Sequence, residues 1–540
     1  MSLGGLDIGT SGCKCTIFDR SGRELASAYQ AYASKRNMGL HEADMDAIWQ
    51  SVKYVIAKSV RDAGSGNGNV KVTGIAAGKG AAGSEGVVIG NGAADSAGKV
   101  ATGKGANGTE RKAGKGAAEP LEAICVSSFG ETCAVLDKHD MQAIPAFLYT
   151  DSRGVVESRR LGEKLGDKRV FDICGHRPGY MYTLPKLMWA REHLPNESKR
   201  IHRILPINSA IIYFLTGEAV SEPSLASRTM MFDIRSREWS EELLEEAGVD
   251  GACMPRVIDI GSVAGTVAQK AAEELGLPSG VRIVAGPQDQ IVAALGAGAL
   301  NAGLAVNGSG SVECITPLFS DLPAGDSFYN GNYCVVPMLP GLFVSYAFIF
   351  TGGSLLEWFC GTMNACGPDE FNAAQVKQPT GIFVLPHFSG AATPYMDSNS
   401  KGVILGLTLE HGAADMYRAT QEGLCYESLL NIHNLSESGI VFDSLKVTGG
   451  GARSAVWTQM KADVYGVPCQ TLKNREAGAT GSAMLAGVAT GAYSDLREAA
   501  DLLITEGETF YPRPEMTEKY LEQYERYKKL YAAARSILNE

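Results

Sequence analysis

A strand–glycine turn–strand pattern occurs twice in this chain, once at its start and once past its middle, and it limits the fold more than any other feature. Near the start, the β-rich runs 3–8 and 13–18 flank a glycine turn. Further along, the runs 304–307 and 311–316 flank Gly308-Ser309-Gly310. Runs of this composition bounded by glycine are typical of β-hairpins. A pattern that restarts in this way predicts two domains of related design.

The length of the chain agrees with two domains. At 540 residues it exceeds what one hydrophobic core usually supports. Strand-like and helical segments alternate along both halves, which is typical of α/β folds. We therefore predict an N-terminal domain at residues 1–299 and a C-terminal domain at residues 300–540. The end of the chain, residues 515–538, has Tyr and Leu at helical spacings and is predicted to form one amphipathic helix.

One stretch, residues 62–118, has a different composition from the rest of the chain. It is dominated by Gly, Ala, Ser and Lys, and it contains no Phe, Tyr or Trp. Such a segment cannot bury enough apolar surface to offset the entropy of its chain. We predict that it is a mobile insertion.

Charge and hydropathy exclude several classes of partner. The formal net charge of −11 argues against nucleic acid and against an anionic membrane, because both require basic patches. It does not argue against ATP, since nucleotide sites use local backbone amides and Mg²⁺. No run of about 18 apolar residues occurs, so no transmembrane helix is predicted. The 12 scattered cysteines are typical of reduced thiols in a cytoplasmic protein. The oligomeric state is left open, with a homodimer as one option.

The first glycine turn follows a strand that ends in an acid. The segment contains Asp7, Gly9, Thr10, Ser11 and Lys14. Glycine lets backbone N–H groups approach phosphate oxygens without a Cβ in the way. In this interpretation Asp7 holds Mg²⁺ through water and Lys14 supplies positive charge. An ordinary glycine-rich hairpin, with Asp7 as a turn residue, explains the segment equally well when it is taken alone.

The second turn, Gly308-Ser309-Gly310-Ser311, occupies the matching place in the second half. Taken alone, it is more often a simple hairpin turn. Together with the first turn it favours two phosphate clamps that face each other across a cleft.

A third glycine segment follows the strand-like run 445–448. It contains Gly450, Gly451 and Ser454 and precedes a helix. A glycine corner at a strand–helix junction can let an adenine or a ribose lie flat on the backbone. The alternative is a turn that needs a positive φ, but three successive glycines exceed that need.

Asp289 begins an alanine-rich helix after the strand-like run 282–285. A carboxylate at a helix start is most often an N-cap. A carboxylate at a helix start that faces a cleft is also well placed to accept a hydroxyl proton during phosphoryl transfer.

Carboxylates on loops after strands provide candidate sugar contacts. Glu131 follows Gly130, and Asp151 lies two residues before Arg153. Carboxylates suit a polyol because they can bind its hydroxyls in pairs. The alternative is a set of loop charges at the surface, and for Arg153 that alternative is equally good.

Taken together, these segments resemble the FGGY carbohydrate kinases, a group that contains glycerol, xylulose, gluconate and fuculose kinases. Five features match in the same order along the chain: the start with Asp7, Gly9, Thr10 and Lys14, the segment 181–189 that fits the family's first signature, the helix start Asp289-Gln290, the turn Gly308-Ser309-Gly310-Ser311, and the segment 449–454 with its continuation to Asp463. The pair Gly352-Gly353 before Trp358 is also similar to the family. Each motif is weak alone, but five in register are specific. The resemblance covers nearly the whole chain except roughly residues 62–118.

The resemblance implies two actin-like, ribonuclease-H-type α/β domains with a nucleotide cleft between them, which close on ATP and the substrate. It implies Asp289 as the catalytic base and Asp7 as the acid that helps to hold Mg²⁺. The candidate substrate contacts are Glu131, Gly130, Asp151 and Gln290. The candidate nucleotide contacts are Gly9, Thr10, Ser11, Lys14, Gly308, Ser309, Gly310, Gly353, Gly450, Gly451 and Ser454.

Two departures from the family concern the substrate. Gly130 stands where glycerol kinases keep Arg, which argues against glycerol and opens space for a longer chain. The segment 129–131 lacks the Met-His pair of xylulose kinases, so xylulose is not secured. We predict transfer of the ATP γ-phosphate to a hydroxyl of a ketose, a polyol or a sugar acid. A neutral ketose or polyol of about five or six carbons is favoured over glycerol, with an acidic sugar second, because a carboxylate such as Glu131 binds vicinal hydroxyls and repels acids. The alternative is a non-catalytic sugar or nucleotide sensor on the same scaffold, which would not need Asp289 as a base.

Overall fold

The computed structural model describes residues 1–37, 40–64, 119–323, 325–363, 371, 378–474 and 476–538. The predicted insertion at residues 62–118 lies outside the described residues from position 65 onward. Within the described part of the chain, strands and helices alternate around two large sheets, as expected for an α/β fold.

The first sheet forms around the start of the chain. Its strand Ser2–Ile8 is antiparallel to Gly12–Asp19 and parallel to Leu121–Ser128. The predicted hairpin at the start of the chain is therefore confirmed. In order across the sheet, the strands are Val263–Thr266, Arg282–Gln288, Leu121–Ser128, Ser2–Ile8, Gly12–Asp19 and Glu24–Ala31.

The second sheet repeats the strand directions of the first. Its strand Leu304–Ser309 is antiparallel to Glu313–Phe319 and parallel to Ser444–Thr448. In order across the sheet, the strands are Val336–Pro337, Phe343–Val344, Glu313–Phe319, Leu304–Ser309, Ser444–Thr448, Cys469–Leu472 and Glu506–Phe510, and Ala347–Ile349 also pairs with Glu313–Phe319. This repetition confirms two α/β units of related design. The boundary at residues 299 and 300 stays a prediction.

Smaller sheets extend the loops between these strands. In the described part of the chain they are Arg203–Pro206 with Cys133–Leu136 and Gln142–Ile144, Lys35–Asn37 with Leu40–Ala43 and Ala146–Phe147, Val220–Ser221 with Arg256–Val257, Phe232–Asp233 with Glu238–Trp239, and Phe383–Leu385 with Val403–Leu405.

Helices cover both large sheets. The α-helices of the first half are Met45–Asp62, Val155–Leu165, Asp167–Cys174, Thr183–His193, Pro195–Ser198, Ile207–Thr216, Pro223–Ser227, Glu241–Ala247, Gln269–Leu275 and Asp289–Gly296. Those of the second half are Ser327–Asn330, Gly353–Thr362, Ala413–Glu437, Ala455–Tyr465, Ala477–Thr490, Leu496–Leu503, Pro514–Tyr527 and Leu530–Leu538. Short 3₁₀ helices occur at Gly251–Cys253 and Gly450–Arg453.

The prediction of one helix at residues 515–538 is wrong. The chain forms two helices there, Pro514–Tyr527 and Leu530–Leu538. Lys528 and Lys529 lie between the two helices, and the Lys529 N–H bonds to the Arg526 carbonyl, three residues back and not four. Tyr527 and Leu530, on either side of this interruption, are both buried in the core of the second half.

Two helices from opposite halves cross between the sheets. Asp289–Gly296 follows the first sheet, and Ala477–Thr490 comes from the second half but packs on Ser2–Ile8. The crossing is close, because a Cβ on Gly296 would lie 1.8 Å from the Ala477 carbonyl oxygen and a Cβ on Gly481 would lie 2.0 Å from that of Val292. Side chains of both halves share one buried apolar cluster there. This contact fixes the start of the helix at Asp289 relative to both sheets.

In the part of the chain that the structure describes, no helix has both the length and the apolar character that a bilayer crossing requires.

Candidate active site

Asp7 and Asp289 lie at the same edge of the first sheet. Asp7 is near the carboxyl end of Ser2–Ile8, and Asp289 directly follows Arg282–Gln288. Both strands run parallel to Leu121–Ser128, which lies between them. In open α/β sheets, the carboxyl ends of parallel strands form the usual place for a ligand. The fold therefore brings together the predicted base and the predicted metal-binding acid.

Asp7 is close enough to Asp289 to affect its ionisation. Burial, followed by repulsion from Asp7, raises the pKa of Asp289 to about 8. Burial also raises the pKa of Asp7 to about 6, although a hydrogen bond from the Ser127 hydroxyl opposes this shift. Both side chains keep some exposure, as expected for groups that face a cleft. Raised pKa values mean that this site disfavours negative charge on the two acids unless a proton or a cation compensates it.

Asp289 also lies close to the second sheet. Burial raises the pKa of the Cys314 thiol to about 12, and the charge of Asp289 contributes to that shift. Cys314 belongs to the strand Glu313–Phe319 of the second half. The predicted base is thus located between the two halves.

Glu131 is buried near Asp289, and it forms an ion pair with Arg228 that the sequence did not reveal. Its Oε1 accepts hydrogen bonds from Nε of Arg228, at 2.6 Å, and from Nη2 of the same guanidinium. The guanidinium carbon lies 5.3 Å from the ring centroid of Tyr182 and 5.8 Å from that of Tyr346. The charges of Glu131 and Arg228 both act on Asp289, so this ion pair belongs to the same site. Arg228 is 97 residues from Glu131 and lies in none of the motifs, so only the tertiary fold reveals it.

The backbone at Glu131 supports this arrangement. Glu131 has a φ of +66°, which is uncommon for a residue other than glycine. Its carbonyl oxygen accepts a hydrogen bond from the Thr183 hydroxyl at 2.8 Å. Local strain of this kind occurs most often where the surrounding structure must aim a side chain.

The space above Gly130 is partly occupied. A Cβ at this position would lie 3.3 Å from Cγ of Arg228 and 3.3 Å from Nε2 of Gln288. The sequence predicted that Gly130 opens space for a longer substrate. Arg228 and Gln288 take part of that space, so the glycine also allows these two side chains to approach the loop.

The short helix Pro223–Ser227 positions two residues next to Asp289 and Glu131. Arg228 directly follows this helix, and Ser224 Oγ accepts a hydrogen bond from the N–H of Gln288 at 3.0 Å. Gln288 Oε1 in turn accepts a hydrogen bond from the Tyr346 hydroxyl at 2.5 Å. One small helix therefore holds both the partner of Glu131 and the residue that precedes Asp289.

Asp151 belongs to a neighbouring ion-pair cluster. Its two oxygens accept hydrogen bonds from Arg153, at 2.8 and 2.6 Å, and from the His41 N–H at 2.6 Å. Arg153 also contacts Glu42 at 2.7 Å. These contacts give Asp151 a clear structural role. Its predicted sugar contact stays a prediction, as does that of Gln290, whose N–H donates to Asp289 Oδ1 at 2.7 Å.

The first glycine turn lies at the edge of the first sheet and is partly exposed to solvent. The Gly9 N–H bonds to the Gly12 carbonyl at 2.9 Å, and Ser11 is exposed while Thr10 is partly so. Lys14 lies opposite Asp7 in the hairpin and forms a 3.1 Å ion pair with Glu476 from the second half.

The three other glycine segments meet in the second half. A Cβ on Gly449 would lie 2.6 Å from the Ser309 carbonyl oxygen, and one on Gly451 would lie 2.0 Å from Ser309 Oγ. The Gly353 N–H bonds to the Gly310 carbonyl at 2.8 Å. Close backbone packing therefore explains part of the glycine content that the sequence attributes to nucleotide binding. Around Gly450 a Cβ would meet no heavy atom within 4 Å.

Ser309 and Ser454, two of the predicted nucleotide contacts, make hydrogen bonds within the protein through their hydroxyls. Ser309 Oγ donates to Glu313 at 2.5 Å and accepts from Lys461 at 2.8 Å. Ser454 caps the helix Ala455–Tyr465 by accepting from the Trp457 N–H at 3.2 Å. Sequence analysis did not identify Lys461 as a site residue, although the residue lies inside the continuation of the third glycine motif.

Comparison with known proteins identifies several similar sequences and folds. The N-terminal domain of the FGGY family of carbohydrate kinases matches residues 2–84 and 111–296, and the C-terminal domain of the same family matches residues 319–490. The unmatched residues 85–110 fall inside the predicted insertion.

The chain is 27% identical to the xylulose kinase of Bacillus subtilis (strain 168), with 78% of this chain and 84% of that protein covered. It is 26% identical to the autoinducer-2 kinase of Klebsiella pneumoniae, with 98% and 93% covered. Among solved structures, the ligand-bound xylulose kinase of Lactobacillus acidophilus superimposes with a TM-score of 0.83 at 19% identity, over 100% of this chain and 99% of that one.

Proposed function

This chain belongs to the FGGY family of carbohydrate kinases, and we propose that it transfers the γ-phosphate of ATP to a hydroxyl of a neutral sugar, with Asp289 as the general base. Members of this family are phosphotransferases, and the fold is the two-domain, actin-like fold of these kinases. One observation carries the finer proposal. Asp289 lies between the two halves, where Asp7, Glu131 and Arg228 all act on its charge.

Asp289 has the properties that a general base requires. A pKa raised to about 8 makes its carboxylate a stronger proton acceptor than an ordinary aspartate. General bases work best when their pKa lies near the pH of the reaction. In the proposed reaction the ionised carboxylate takes the proton from the sugar hydroxyl as that oxygen attacks the γ-phosphorus, and ADP leaves.

Asp7 fits a role in holding Mg²⁺ at this site. Magnesium prefers carboxylate oxygens and retains several waters, so one or two acids are enough for a site that also binds phosphates. The raised pKa values of Asp7 and Asp289 are consistent with a site that accommodates positive charge. We propose that Asp7 would help to hold the ion, which would supply positive charge for the phosphates of ATP.

The second half supplies the proposed nucleotide site. The turn at residues 308–310, the pair Gly352-Gly353 and the segment 449–454 meet there with backbones in close contact. Gly450 lacks near neighbours, so an adenine or ribose has room at that point. We propose that the backbone of these segments binds ATP, with its phosphates directed toward Asp7.

The charges around Asp289 favour a neutral substrate. Asp7, Glu131 and Asp289 provide three acids, and Arg228 is already paired with Glu131. A sugar acid would bring a further acidic group beside these acids, and the arginine there already pairs with Glu131. A ketose or polyol instead offers hydroxyls to Glu131 and to Asp289. Xylulose, named in one of the relatives, is a substrate of this class, and autoinducer-2, named in the other, is the second candidate.

The rival function is a non-catalytic sensor of sugar or nucleotide on the same scaffold. It requires binding but no base, and it does not explain an aspartate with a raised pKa at the contact between the halves. The kinase is therefore the better proposal.

A coupled assay of ADP release tests the proposal. The purified chain is mixed with Mg²⁺-ATP and with single members of a panel that contains xylulose, other neutral ketoses, polyols, glycerol and sugar acids. We expect sugar-dependent ADP release with a neutral ketose or polyol. Release that is fastest with a sugar acid or with glycerol would contradict the substrate class, and sugar binding without any release would favour the sensor.

A further inference from the structure

A buried polar cluster lies directly beneath the second glycine turn. Lys461, on the helix Ala455–Tyr465, directs its ammonium group at the hairpin that carries this turn. Its three acceptors are Asn307 Oδ1 at 2.6 Å, Ser309 Oγ at 2.8 Å and Glu313 Oε2 at 3.0 Å. Since an ammonium group has three protons, the hairpin satisfies Lys461 completely.

Both carboxylate oxygens of Glu313 also accept hydrogen bonds. Its Oε1 accepts the Ser309 hydroxyl at 2.5 Å, and its Oε2 accepts the Asn307 amide at 2.8 Å in addition to Lys461. The side chains of Lys461 and Glu313 are only 1% and 2% exposed. A buried ion pair is seldom a net gain in stability over an apolar pair, and its best-supported use is to fix one arrangement of the chain.

The cluster joins two segments of the proposed nucleotide site. The helix Ala455–Tyr465 begins at the end of the segment 449–454, where Ser454 caps it. Gly451 packs on Ser309, and the Lys461 ammonium lies 4.2 Å from the centroid of the Trp457 ring in the same helix. Through these hydrogen bonds, Lys461 connects the turn at residues 308–310 to the helix that follows the segment 449–454.

We infer that Lys461 is a positioning residue for nucleotide binding, which holds the turn at residues 308–310 and the segment at residues 449–454 in their binding arrangement. This inference rests on the proposed function, because the nucleotide site is itself proposed. The Ser309 hydroxyl donates to Glu313 and accepts from Lys461, so it is occupied within the buried cluster. The turn is then left to bind the phosphates through its backbone N–H groups.

Three variants test the inference by ADP binding in a calorimeter, without sugar, and by the melting temperature Tm. Lys461→Met removes the ammonium group and leaves Glu313 buried without its counterion. Glu313→Gln with Lys461→Met removes both charges and keeps the volume of the cluster. Lys446→Met is the matched control, since Lys446 belongs to the same sheet but pairs with Glu506 at 3.0 Å, away from the turn.

We expect Lys461→Met to lower both Tm and ADP affinity. The double variant should regain most of the Tm, because it leaves no unpaired charge buried in the cluster. It should still bind ADP about tenfold more weakly, while the KM for sugar stays unchanged. The control should bind ADP as the unaltered chain does.

A double variant that folds and binds ADP as tightly as the unaltered chain would overturn the inference and leave the proposed function intact. Absence of ADP binding by the unaltered chain would overturn the proposed function, and the inference with it. Should the double variant not fold, Asn307→Ala removes one acceptor and keeps the ion pair. About threefold weaker ADP binding is then expected, and unchanged binding overturns the inference.

Discussion

The two glycine turns have the same strand–turn–strand design, but their surroundings differ. The first turn follows Asp7 and precedes Lys14; Asp7 raises the pKa of Asp289, and Lys14 forms an ion pair with Glu476 of the second half. The second turn is supported from below by the buried Lys461 cluster and from the sides by two further glycine segments. The same motif is thus flanked by charged side chains in the first half, whereas in the second half its backbone packs closely on neighbouring segments.

This difference suggests a separate function for each half. We propose that the first half performs the chemistry and binds the sugar through side chains, whereas the second half binds the nucleotide through its backbone. Substitutions in the first half should then affect turnover or sugar KM. Substitutions in the second half should affect nucleotide affinity.

The largest effect is expected for Asp289→Asn. Removing a general base lowers turnover by about 10²–10⁴-fold. ADP affinity should stay nearly unchanged, because the second half is intact. Steady-state turnover and ADP binding by calorimetry measure the two quantities, and near-normal turnover of this variant on the true substrate would remove Asp289 from the mechanism.

The next largest effect separates packing from ligand binding in the second half. A methyl group on Gly451 would lie 2.0 Å from Ser309 Oγ and 2.7 Å from the Trp457 ring, so Gly451→Ala should cost about 1–3 kcal/mol of stability as well as ADP affinity. Gly450→Ala meets no protein atom within 4 Å and should leave Tm unchanged. If the nucleotide lies on Gly450, this second variant loses ADP affinity alone. Equal Tm values and equal ADP affinities for the two variants would refute the assignment of this segment.

A smaller effect should distinguish the two carboxylates near the sugar. Glu131→Gln weakens charge-assisted hydrogen bonds to sugar hydroxyls, so we expect the KM for sugar to rise about tenfold while the KM for ATP is unchanged. Asp151→Asn is the matched comparison, since Arg153 and His41 already hold that carboxylate. It should lower Tm and change the sugar KM less. The reverse ranking would place Asp151, and not Glu131, in the sugar pocket.

The smallest effect concerns pH and stability without Mg²⁺ or nucleotide. The raised pKa values of Asp7, about 6, and Asp289, about 8, mean that the folded chain binds protons more tightly than the unfolded chain does. The stability from these protons is present below about pH 4 and is lost as the pH rises through 6 and 8. Asp289→Asn should therefore raise Tm at pH 8 relative to the unaltered chain, and should raise it less at pH 5. Thermal melts at the two pH values in EDTA measure this, and a Tm difference that is independent of pH would contradict the proposed ionisation of Asp289.

The sequence predicted the large-scale fold well, because the information is local. Alternating β-rich runs and glycine turns predict both hairpins, and the similarity of the two runs predicts the repeated strand directions. The C-terminal helix was predicted as one element because its Tyr spacing continues past the interruption at Lys528 and Lys529. Helical periodicity alone does not detect a two-residue interruption of this kind.

The site was predictable only in part. The sequence indicated Asp7, Asp289 and Glu131, since each lies next to a strand end or in a recognisable motif, and the fold brings these three together. Arg228 and Lys461 were missed for one physical reason. Each acts through a partner far along the chain, 97 residues for Arg228 and 148 for the Lys461 pair with Glu313, and no local pattern encodes such a pair.

The central claim is that Asp289 acts as the general base when the γ-phosphate of ATP, held by the other half, is transferred to a neutral sugar. One comparison tests it most directly. The unaltered chain and Asp289→Asn are each incubated with Mg²⁺-ATP and the best neutral ketose or polyol of the panel, and sugar phosphate is measured by mass spectrometry while ADP binding is measured on the same preparations. The account predicts sugar phosphate from the unaltered chain, a loss of about 10²–10⁴-fold in the variant, and equal ADP affinity in both. Equal rates of sugar phosphate formation by the two proteins would contradict it.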